Sequence, residues 1–60
     1  MYRWTVTTRN TKHYGEEKSI ELAKKVATSL AEKSEGGGIV TIDDLENANK
    51  TFEMFTVMEK

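Results

Sequence analysis

One stretch, Glu16 to Ser34, spaces its apolar residues at the period of a helix: Ile20, Leu22, Ala23, Val26, Ala27, Leu30 and Ala31 fall within about half of a helical wheel. This limits the fold more than any other feature. The inner face is lined largely by alanine, so the helix can lie close to a sheet but adds little volume of its own to a core. The bulk must come from strands. Glu16 and Glu17 stand where a helix macrodipole favours anions, Glu21 and Lys25 make a well-oriented i,i+4 pair, and Gly36 is positioned to close the helix in a left-handed conformation.

On either side of this segment the period falls to two. Tyr2, Trp4 and Val6 alternate with Arg3, Thr5 and Thr7, which predicts a strand with one buried face. Arg9-Asn10-Thr11 reads as a tight turn into a short second strand from Lys12 to Gly15. A three-residue loop sets Tyr14 across from Val6 on the buried face and His13 across from Thr7 on the outer one, whereas a two-residue loop sets His13 opposite Val6. The first register is preferred. After the glycines, Ile39 to Ile42 and Thr51 to Met58 read as two further strands joined around Asn47-Ala48-Asn49. In a rival reading, Thr41 and Asp44 form a capping box, and Ile42, Leu45 and Phe52 share a helical face, so that residues 42–55 continue as helix.

The pattern predicts an α+β, two-layer ββαββ domain over residues 1–60, with a helix of residues 16 to 35 on a mostly antiparallel sheet and the first and last strands as neighbours. The expected core is Trp4, Val6, Ile20, Ala23, Val26, Ala27, Leu30, Val40, Ile42 and one face of the last strand. A chain of 60 residues without Cys has a thin core and neither a disulfide nor a thiolate metal site to reinforce it. Association is therefore expected, either as a homodimer or with a larger protein.

The chemistry-bearing residues are few: one His, and Ser only at 19, 29 and 34, all within or at the ends of the predicted helix and far in sequence from His13. No catalytic residue, metal ligand or cofactor is assigned, and the chain is expected not to be an enzyme. Asp43 and Asp44 are adjacent, so on a strand they point to opposite faces. Gly36-Gly37-Gly38 leaves a helix rather than leading into one, the wrong polarity for a phosphate cradle.

Two surfaces remain. The last strand is apolar on both sides, with Phe52, Met54 and Met58 on one face, read as core, and Phe55 and Val57 on the other. Phe55, Val57 and Glu53 of this last strand are the candidate protein interface. The alternative is a nucleic-acid contact by the basic first hairpin through Arg3, Arg9, Lys12 and His13, where cations accompany aromatics. The formal charge of -1 favours the protein interface. With neither a signal peptide nor a membrane span in view, a cytoplasmic location is expected.

Overall fold

The computed structural model describes residues 1–47 and 50–60. In chain order it contains β1 (Tyr2–Thr7), β2 (Lys12–Glu17), α1 (Ile20–Lys33), β3 (Gly38–Asp44) and β4 (Lys50–Val57). The four strands form one antiparallel sheet of order β2-β1-β3-β4, with α1 packed on one face. This is the expected α+β, ββαββ layout, and the described residues between 42 and 55 are strand and turn, not helix. The strand order differs from expectation: β1 pairs with β3, and β4 is an edge. β1 and β3, whose inward residues Trp4, Val6, Val40 and Ile42 are all buried, take the centre, where the helix covers them.

The helix starts later than its sequence pattern suggests, since Glu16 and Glu17 extend β2. Ser19 is the N-cap, in an extended conformation, and its side chain accepts from the Leu22 N–H at 3.4 Å. At the other end Ser34 is also extended, its N–H donates to the Ala31 carbonyl, and its hydroxyl donates to the Leu30 carbonyl at 2.9 Å. Ser34 therefore ends α1, and the left-handed Gly36 and Gly37 reverse the chain beyond it. The Gly36 N–H donates to Glu59 Oε1 at 2.8 Å, which ties this turn to the end of the chain.

Ala23, Ala27 and Ala31 are fully buried against Val6, Val40 and Ile42, with Trp4 completing the core. Ile20, Val26, Leu30, Tyr2, Phe55 and Val57 surround it, each partly buried. The Trp4 indole lies across its cross-strand partner Gly15, where a Cβ would come within 2.6 Å of Cζ2. Glycine at 15 makes room for the largest side chain of the core.

The first hairpin departs from the expected register. Thr7 faces Lys12, Val6 faces His13 and Thr5 faces Tyr14, the pairing of the two-residue loop, and the Thr8 N–H donates to the Thr11 carbonyl at 2.8 Å around Arg9 and Asn10. The Thr8 hydroxyl reinforces this closure, accepting from the Thr11 N–H at 3.1 Å and donating to the Thr11 carbonyl at 3.0 Å. Thr8 thus stands opposite Thr11, in register with the Thr7–Lys12 pair, and only Arg9 and Asn10 lie between them. One loop residue fewer than in the preferred sequence reading turns Tyr14 to the solvent face and His13 to the helix side.

The faces of β4 are reversed as well. Val40 pairs with Phe55 and Ile42 with Glu53, but Asp43 pairs with Thr51, so Phe52 is the extra residue of a β-bulge. Phe55 and Val57 therefore lie under the helix, while Phe52, Met54 and Met58 are exposed. The bulge brings Phe52 edge-on to Tyr2, with centroids 6.2 Å apart. The loop centre Asn47-Ala48-Asn49 includes Ala48 and Asn49, which lie outside the described residues.

The two left-handed glycines separate backbone strain from steric contact. At Gly36 a Cβ meets open space, whereas at Gly37 it would collide with the Val57 carbonyl oxygen. Gly36→Ala should cost about 1–2 kcal/mol of stability, and Gly37→Ala about 2–5 kcal/mol because crowding adds to the strain. Urea titration of the two variants checks this, and equal losses would show that the approach of β4 to Gly37 does not matter.

Candidate functional site

With α1 on one side, the other side of the sheet is open, and strand alternation sorts its residues into three cross-strand rows. The central row is Tyr14, Thr5, Thr41 and Met54, one residue from each strand. Tyr14 is 73% exposed and Met54 67% exposed, at the two ends of a threonine pair. The row toward the β1 N-terminus is polar: Arg3 reaches Glu16 at 3.5 Å, and the Thr51 hydroxyl donates to Asp43 Oδ1 at 3.0 Å. The third row contains Lys12, Thr7, Ile39 and Thr56, with Ile39 among the exposed large apolar side chains. A shallow depression of about 420 Å³ lies between Arg3, Thr5, Lys12 and Tyr14.

The candidate nucleic-acid residues do not gather on one surface. Arg3 and Lys12 share the open face with Tyr14, Arg9 lies in the turn, and His13 is on the helix side of β2, with Nε2 2.7 Å from the Thr11 hydroxyl. On the open face the cations Arg3 and Lys12 are matched by Glu16 and Asp43. A surface with that balance holds no excess field for a polyanion.

The candidate interface residues Phe55, Val57 and Glu53 lie together on the helix side of β4 and are half-buried. Lys24 on α1 bridges to Glu53 Oε1 at 3.1 Å and stands 6.0 Å above the Phe55 ring. Both charged groups are more than a third exposed, so the pair is worth little beyond orienting Lys24 across the ring. Sequence reasoning passed over Tyr14, Met54 and Ile39 as a shared surface. The signal for it was the alternation within each strand, readable only with the two-residue first turn and a bulge placed at Phe52.

Among the described residues no three His, Cys, Asp or Glu side chains converge as a metal site, and no buried side-chain nitrogen or oxygen lacks a partner. No helix is long and apolar enough to cross a membrane. Comparison with family models, with characterised proteins and with solved structures finds no match to this chain.

The two sides of β4 should respond differently to truncation. Phe55→Ala is expected to cost about 2–3 kcal/mol, less than a fully buried Phe because the ring is only half-covered. Met54→Ala, on the open face, should change stability by no more than about 0.5 kcal/mol. Chemical denaturation of both variants measures the difference, and comparable losses would contradict the placement of Phe55 in the core.

Proposed function

We propose that this chain is a small, non-catalytic protein-binding module, an adaptor, inhibitor or regulator, that receives a larger protein on the open face of its sheet. The observation that carries this reading is the row Tyr14-Thr5-Thr41-Met54, in which two large side chains stand exposed on a surface that α1 leaves bare. Tyr offers an apolar ring with a polar tip, and Met adapts its shape to a partner, two reasons why such residues serve as contacts. The balanced charges around the row suit a partner surface of mixed sign.

The alternative, single-stranded nucleic acid held by Tyr14 with Arg3 and Lys12, draws support from the way the register sets this ring beside both cations. The two readings part company in their salt response, because phosphate contacts release counterions and an apolar protein contact does not. The tagged full chain, used as bait in cell lysate, should retain a protein equally at about 50 and about 200 mM salt. Tyr14→Ala should abolish that retention while leaving the thermal unfolding of the chain unchanged. Retention of nucleic acid at the lower salt alone would establish the alternative, and protein capture indifferent to Tyr14→Ala would refute the open face as the docking surface.

A further inference from the structure

The sheet has two edges, and they are built differently. β2 carries Lys12, His13, Glu16 and Glu17 within six residues, and such charges discourage an edge strand from pairing with another chain. β4 is longer, at eight residues, and from Met54 to Val57 it contains no charge, no glycine and no proline. Its outer edge has no pairing strand among the described residues. Phe52, Met54 and Met58, all exposed, lie on this strand or one residue beyond it.

We infer that β4 pairs in antiparallel fashion with β4 of a second copy, about a two-fold axis normal to the sheet, so that two four-stranded sheets join into one of eight strands. The inference rests on reading the chain as a protein-binding module, but it uses the edge and not the open face, so each can fail alone. A two-fold axis requires one patch to complement itself, and an uncharged antiparallel strand does so without opposing like charges over Met54 to Val57. The helix side adds a second reason. α1 lies over β1 and β3, leaving Phe55 and Val57 half-buried at the rim of the core. Edge pairing sets these two side chains beside their counterparts in the other copy and covers the rim from both sides. Met54 and Thr56 extend the same contact on the open face.

The interface is small, so association is expected at roughly micromolar strength. Sedimentation equilibrium of the full chain should show a mass rising from 6.8 kDa toward twice that value as concentration increases from about 5 to about 500 µM. Over the same range, the β4 amides that point away from β3 should gain protection from hydrogen exchange. Thr56→Lys places a charge on the exposed side of the edge and should weaken association at least about tenfold, whereas Tyr14→Ala should leave it unchanged. If Thr56→Lys disturbs the fold by circular dichroism, the exchange measurement on the unaltered chain decides. A monomer across the whole range overturns the inference, as does a dimer in which the outward β4 amides still exchange freely.

Discussion

The close approach of an alanine-faced helix to two central strands sets the terms for the rest of the molecule. Ala23, Ala27 and Ala31 allow α1 to settle onto β1 and β3, where Val6, Val40 and Ile42 are sealed completely. A helix is about 10 Å wide and strands are about 4.8 Å apart, so one helix covers roughly two strands of a sheet. This sheet has four. Both edge strands are therefore covered only in part on the helix side, and the entire opposite face is bare.

The two edges meet that shortfall in different ways. Beside β2, Trp4 leans outward over Gly15, and its indole N–H points to Glu17 Oε2 at 3.4 Å, so the core reaches the edge through a side chain borrowed from β1. Beside β4, the edge supplies its own apolar residues, Phe55 and Val57, and Lys24 reaches across them to Glu53. The charged β2 is finished as an outer boundary. The uncharged Met54–Val57 stretch of β4 offers backbone and apolar side chains together, which is why self-association is proposed there and recognition of a larger partner on the open face.

That face also shows how a neutral total charge can hide a local arrangement. Residues 1–14 carry Arg3, Arg9 and Lys12 without an acid, and residues 43–60 carry an excess of acids, yet the antiparallel pairing of β1 with β2 and β3 brings Arg3 between Glu16 and Asp43. The separation of charge along the chain is cancelled across the sheet. What remains distinctive is the exposed Tyr14 and Met54 flanking two threonines, a surface suited to protein contact more than to phosphate.

Local periodicity was enough to read the element order, the inner face of α1 and the inward residues of β1 and β3, because each depends only on neighbours a few positions away. Trp4, Val6, Ala23, Ala27, Val40 and Ile42 were legible as core on that basis. The candidate site was not. A period of two states that alternate residues share a face, but it carries no information about which face the helix will cover. A first turn one residue shorter than preferred inverted β2, and one bulged residue, Phe52, inverted the rest of β4. The central pairing of β1 with β3 likewise required the whole sheet, since it depends on which two strands bury the most when a single helix can cover only two. From the sequence alone came the parts and their patterns. Only the tertiary structure could decide phase and neighbourhood, because both follow from contacts between residues far apart in the chain.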